Sequence, residues 1–160
     1  MTKEIPLTKG KVALVDEEDF EELSKHRWSF DGRYAIRMED GKKIYLHREA
    51  LKVGEGKVTD HVNRDRLDNR KSNLREASYQ QNSSNSKLHS HNTSGYRGVY
   101  KYKKLWRAAV TFDGKQVSCG YFKTKQEAAI AYNEKATELF GEFAYINEIN
   151  EFEDIEEAVV

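Results

Sequence analysis

The chain has one cysteine, Cys119, in 160 residues. That excludes an internal disulfide and a cysteine-rich zinc site, and it leaves the thiol as a small apolar strand residue. No hydrophobic run approaches the length of a membrane span. The opening residues, MTKEIPLTKGK, lack the apolar stretch of a signal peptide. The expectation is therefore a cytoplasmic protein with no membrane partner. Apolar residues are also scarce: 38% hydrophobic against 34% charged allows only a modest core. Seven Phe, nine Tyr and two Trp still supply core material and argue against wholesale disorder. The length suits one ordinary domain or two small ones.

Net charge is absent too, but only as a sum. Residues 61–125 hold 14 Lys/Arg and 4 Asp/Glu, which is 14 − 4 = +10. Residues 126–160 hold 1 Lys and 10 acids, which is 1 − 10 = −9, and residues 1–60 come to 12 − 13 = −1. A block so one-sided points to a polyanion partner, bound through phosphate neutralisation and counterion release. A merely solvated face would normally intersperse acids.

The basic block opens on Asp60 to Asn82, DHVNRDRLDNRKSNLREASYQQN. An Asp-His pair is followed by Asn73 and then Asn82, in the spacing His-x11-Asn-x8-Asn. Val58 and Val62 flank the pair, so it reads as the end of a short strand. Asn63 to Asn69 reads as a polar loop and Leu74 to Ala77 as a return strand. Ser78-x-x-Gln81 is a capping box, which puts Asn82 on the first turns of a helix, directed back at the Asp-His strand. The carboxylate of Asp60 and the amide oxygen of Asn82 are hard donors that suit Mg2+ or Mn2+, with positions left open for water and a phosphate. His61, facing the other side of the strand, is placed to take a proton from an attacking water. Asn73 reads as a brace that holds the loop backbone.

This stretch resembles the motif of the His-Asn-His endonucleases, the ββα-metal nucleases, in the variant that ends in Asn. The resemblance implies His61 as general base, Asp60 and Asn82 as the ligands of one divalent ion, and Asn73 as the central Asn. Because Asn82 is an amide, it can ligate but cannot titrate.

Residues 1–50 read as a β-rich lead-in. Lys11–Val15 is a strand, Asp16–His26 a helix with acids in its first turns, and Arg27–Phe30 the start of a strand. Tyr34–Met38 and Lys43–His47 form a hairpin about Glu39-Asp40-Gly41. Leu46-His47-Arg48 is similar to a step found in phage-type His-Asn-His proteins. His47 and Arg48 suit either DNA phosphate or a structural role.

The nuclease-like unit is expected over 51–86. The polar stretch SSNSKLHSHNTS then marks a linker, with its centre at 87–94. Lys87, His89 and His91 lie there as polar linker residues rather than as a metal set.

Residues 95–147 read as three strands and one helix. The strands are Tyr96–Tyr102, Trp106–Phe112 and Lys115–Phe122, with a hairpin turn at Asp113-Gly114. Thr124-x-x-Glu127 caps a helix from Lys125 to about Phe140, and Gly141 ends it. One sheet face packs on that helix and the other is left open. Arg97, Lys101, Lys103, Lys104, Arg107 and Lys115 are candidate phosphate or base contacts.

The segment carries YRGV, GYF, EAAIAY and AYIN, and so resembles the APETALA2-type DNA-binding domain, which also occurs fused to phage His-Asn-His nucleases. The resemblance implies DNA docking through the sheet and gives Arg97 a DNA-contacting counterpart. It departs where Tyr100 and Tyr102 replace arginines, at Thr111 and Gln116, and where Ser118 replaces a tryptophan. An acidic tail, 148–160, completes the chain.

The fold class expected is α+β: a small ββα-metal unit behind a β-rich lead-in, plus a three-stranded antiparallel sheet on one helix. The function expected is metal-dependent, homing-type cleavage of double-stranded DNA by a monomer, with no small-molecule substrate. The alternative is a sequence-specific DNA-binding regulator with an inactive nuclease unit. An RNA-binding module is a third reading that neither resemblance supports.

Overall fold

A computed structural model describes residues 1–86, 88 and 90–149. Lys87, His89 and most of the acidic tail, 150–160, lie outside the described residues. The secondary structure is mixed, with small antiparallel sheets, in keeping with the α+β class. The chain divides into two compact units, Met1–Ser83 and Ser84–Val160.

The first unit opens with a hairpin that the sequence reading had only in part. β1 (Thr2–Pro6) pairs antiparallel with β2 (Val12–Asp16). Alternation buries Ile5, Ala13 and Val15 and leaves their neighbours toward solvent. Helix α1 (Glu17–Leu23) has three acids in its first turn, where they oppose the positive end of the helix dipole. Its last carbonyl, on Leu23, accepts from the Trp28 indole N–H at 2.7 Å.

β3 (Ser29–Phe30), β4 (Ala35–Glu39) and β5 (Lys42–Tyr45) form a second antiparallel sheet. The β4–β5 turn takes positive φ at both Asp40 and Gly41, as a two-residue hairpin of this twist requires. β5 stops at Tyr45, short of the expected His47. Leu46 instead starts α2 (Leu46–Leu51), because Leu46 and Ala50, one helical turn apart, are both buried.

β6 (Val58–His61) pairs with β7 (Leu74–Ala77), and α3 (Tyr79–Ser84) follows after one residue. Both halves of the capping box form: Gln81 Oε1 accepts from Ser78 N at 2.8 Å, and Ser78 Oγ accepts from Gln81 N at 3.2 Å. One core serves the whole unit. Val15, Trp28, Leu46 and Leu74 share it, so residues 1–50 and the motif strands bury the same apolar surface.

In the second unit the strand order is β10–β9–β8, from β8 (Val99–Tyr102), β9 (Leu105–Phe112) and β10 (Lys115–Phe122). The β10–β9 register shifts between Ser118 and Gly120, so Cys119 sits in a bulge. Helix α4 (Lys125–Phe140) has its complete capping box at Thr124 and Glu127 and ends at Gly141 with φ 54°. Ala128, Ala129 and Ala136 are fully buried, which lets the helix lie close on the sheet. The closest approach is at Gly98, where φ is +71° and a Cβ would meet the Tyr132 ring at 2.2 Å.

Candidate active site and sheet surface

The loop between β6 and β7 is built from short polar side chains that bond their own backbone. Asn63 Oδ1 accepts from Asp65 N at 2.8 Å, and Asp65 Oδ1 from Leu67 N at 3.0 Å. Asn73 closes the loop: its Oδ1 accepts from Asn63 N at 2.9 Å and its Nδ2 donates to the Asp68 carbonyl at 2.7 Å. Asp68 is 3% exposed, takes both Nε and Nη2 of Arg70, and accepts from Asn63 Nδ2.

β2 ties this loop down from outside. Leu14 N donates to the Leu67 carbonyl and Asn69 N donates to the Leu14 carbonyl, both at 2.8 Å. The Lys71 amide donates to Asp16 Oδ2 at 2.7 Å.

The result is a fixed place for Asn69, which is 1% exposed. Its Nδ2 donates to the Leu67 carbonyl at 3.1 Å, so its Oδ1 faces His61 Nε2, also at 3.1 Å, as an acceptor. His61 therefore carries its proton on Nε2, and Nδ1 is the basic nitrogen. Burial pushes the His61 imidazole below its ordinary range; the Asn69 bond and the Asp60 charge oppose that in part. Near neutral pH the ring is an uncharged base.

Asp60, 3% exposed, alternates with His61 along β6 and so lies on the opposite face. Its cross-strand partner is Arg75. Arg75 donates to Asp60 Oδ2 from Nε at 2.8 Å, and its Nη2 lies 2.7 Å from the same oxygen. Asn82 lies half-buried on α3, on the turn begun by Ser78. Each side chain offers a hard oxygen donor of the kind a divalent cation takes. Among the described residues, no three His, Cys, Asp or Glu side chains converge to hold an ion unaided.

Three residues without an assigned role in the sequence join the site. Asn69 and Arg75 are two. The third is His47, left open between phosphate contact and structure. Its ring packs edge-on to His61 with centroids 5.3 Å apart, and against Tyr34 at 5.1 Å and Tyr45 at 5.4 Å. His47 is 8% exposed, and its Nδ1 has no hydrogen-bond partner among the described residues. Burial, with the neighbouring His61 and Arg48, pushes its pKa down to about 3. The Arg66 guanidinium lies 5.1 Å over the Tyr34 ring and adds a cation beside this cluster. Only Leu46-His47-Arg48 marked any of this in the sequence.

The C-terminal sheet separates the candidate contact residues. Val99, Trp106, Ala108 and Val110 pack against α4. In the observed register Lys101 pairs with Trp106 and Lys115 with Phe112, so both lysines have the helix-side parity. Lys101 Nζ in fact sits 4.5 Å from the Trp106 ring centroid. Arg107 is on the open face, with its guanidinium 5.3 Å from the Tyr100 ring. Lys103, with φ 54°, and Lys104 form the exposed β8–β9 turn. Arg97 is engaged inside its own unit: it donates to the Ser86 carbonyl and hydroxyl and lies 5.3 Å over the Tyr145 ring.

Comparison with known proteins falls on the same residues. The HNH endonuclease family matches residues 50–84. A protein of Acanthamoeba polyphaga mimivirus, named as an uncharacterized HNH endonuclease, is 36% identical over 149 residues, covering 89% of this chain and 78% of that protein. Protein 3.8 of Escherichia phage T7 is 34% identical over 94 residues, covering 58% of this chain and 77% of that protein. No solved structure matches.

Proposed function

The chain belongs to the HNH endonucleases, and from that premise we propose that His61 is the general base of a site-directed DNA nuclease of homing type, with Asp60 and Asn82 as ligands of one divalent ion. Endonucleolytic cleavage of DNA is the activity of the family. The roles of the individual residues are our reading. The observation that carries it is the bond between His61 Nε2 and Asn69 Oδ1, which leaves Nδ1 as the atom that receives a proton.

In this reading Nδ1 takes a proton from water as the water oxygen attacks phosphorus. The P–O3′ bond breaks, and the departing 3′ oxygen takes a proton from solvent, giving a 3′-hydroxyl and a 5′-phosphate. Asn69 and Asn73 are positioning residues: one sets the tautomer, the other the loop that carries it. Arg75 holds the Asp60 carboxylate in orientation. Asp60 and Asn82 would hold Mg2+ or Mn2+, which would supply electrostatic stabilisation of the developing negative charge when bound. The ββα-metal unit corresponds to β6, β7 and α3, and one such site per monomer nicks one strand at a time.

The second unit serves as the APETALA2-type DNA-docking domain. Lys103, Lys104 and Arg107 are its best-placed contacts, whereas Lys101 and Lys115 lie on the helix-side parity and Arg97 is engaged internally.

The test is incubation with supercoiled plasmid and host genomic DNA in Mg2+, Mn2+ or EDTA, beside His61→Ala. Metal-dependent relaxation that falls by about 100-fold or more in the variant is expected of a general base. Intact gel-shift binding without cleavage under any condition would instead favour the DNA-binding regulator.

A further inference from the structure

The open face of the C-terminal sheet carries more aromatic surface than its own fold uses. The register puts Tyr100, Arg107 and Tyr121 in one cross-strand row, with Tyr102 and Leu105 in the next. Tyr102 is 46% exposed and Tyr121 49% exposed, and their ring centroids are 5.3 Å apart. Lys103 Nζ lies 5.7 Å from the Tyr102 ring. No acidic residue occurs in any of the three strands. The three strands therefore bring π-surfaces and cations together with no acid of their own.

Cross-strand packing explains tyrosines on a sheet, but not two that stay half exposed. An intact duplex hides the faces of its bases within the stack and shows only edges. Those edges are read by forked or amide side chains such as Arg, Asn and Gln. Near Tyr100 and Tyr102 this face has one such group, Arg107. Where the resembling family has arginines, this chain has tyrosines. A tyrosine face beside lysines suits bases whose faces are free and whose phosphates need neutralising.

We propose that this face binds unpaired DNA, stacking exposed bases on Tyr102 and Tyr121 while Lys103, Lys104 and Arg107 meet the phosphates. This rests on the reading of the second unit as a DNA-docking domain and specifies its ligand as single-stranded or locally opened DNA.

The test uses the full chain in EDTA, which blocks cleavage. Anisotropy titrations compare an oligothymidine, a paired duplex of equal length, and that duplex with a central unpaired bubble. Wild type is expected to bind the oligothymidine and the bubble more tightly than the duplex. Tyr102→Ala with Tyr121→Ala should weaken those two by about tenfold or more, and Tyr102→Phe with Tyr121→Phe should retain them. Duplex binding as tight as bubble binding, no effect of the alanine pair, or equal loss in the phenylalanine pair would overturn the proposal while leaving DNA docking in place. Failure to bind any of the three DNAs would overturn both. Circular dichroism melting of each variant separates lost contacts from lost folding.

Discussion

His47 stores pH dependence in the first unit. Folded, its pKa is about 3, because the ring is buried beside His61. Unfolded, it titrates near its ordinary value of about 6.5. Between those values the unfolded chain takes up a proton that the folded chain refuses, so this contribution to stability is complete above pH 6.5 and is lost as pH falls. At about 1.36 kcal/mol per unit the loss is on the order of 5 kcal/mol by pH 3. Thermal melting from neutral to mildly acid pH should show it. His47→Phe, which keeps a ring against Tyr34 and Tyr45, should reduce the slope; an unchanged slope would place the acid sensitivity elsewhere, His61 included. Asn69→Ala should lower kcat by about 10- to 100-fold with KM little changed, because it frees the His61 tautomer without touching a DNA contact. An unaffected kcat would remove Asn69 from the positioning role. The Asp-His pair was legible in the sequence because it is local chemistry. Asn69 was not, because its role depends on a loop folded back against Leu14, and Arg75 needed the register that sets it opposite Asp60.

Where turn and cap chemistry is self-contained, elements were legible before the structure. Both hairpin turns with Gly at their second position, both capping boxes and the Gly141 stop follow from two to four residues each. β1 and α2 were not legible. β1 is defined by its pairing with β2. Leu46 suits a strand alternating with Ile44 as well as a helix continuing to Ala50, and only the core decides. The same limit applied to Lys101 and Lys115, whose side of the sheet is a matter of parity across strands. Gly98 makes an element-level prediction. An alanine there adds the strain of positive φ, about 1–2 kcal/mol, to a clash with the Tyr132 ring and with the Ala109 carbonyl 2.6 Å away. Gly98→Ala should destabilise the second unit by at least about 3 kcal/mol and abolish DNA docking, read as loss of a cooperative melting transition. A variant that melts like wild type would mean that α4 can shift off the sheet.

Across the whole molecule, zero net charge hides a basic middle, and salt should expose it. On single strands each neutralised phosphate adds about −0.7 to the slope of log affinity against log salt. Replacing Lys103, Lys104 and Arg107 together by Ser should therefore make that slope about 2 shallower. An unchanged slope would move the contacts to the other unit. The strap from β2 to the motif loop has a consequence of another kind, for modularity. Residues 50–84 look like a portable cassette, yet the backbone groups that seat Asn69 belong to Leu14, and the apolar floor beneath β7 comes from Val15 and Trp28. Grafted onto another scaffold, the segment would transplant its carboxylate, imidazole and amides without the splint that aims them.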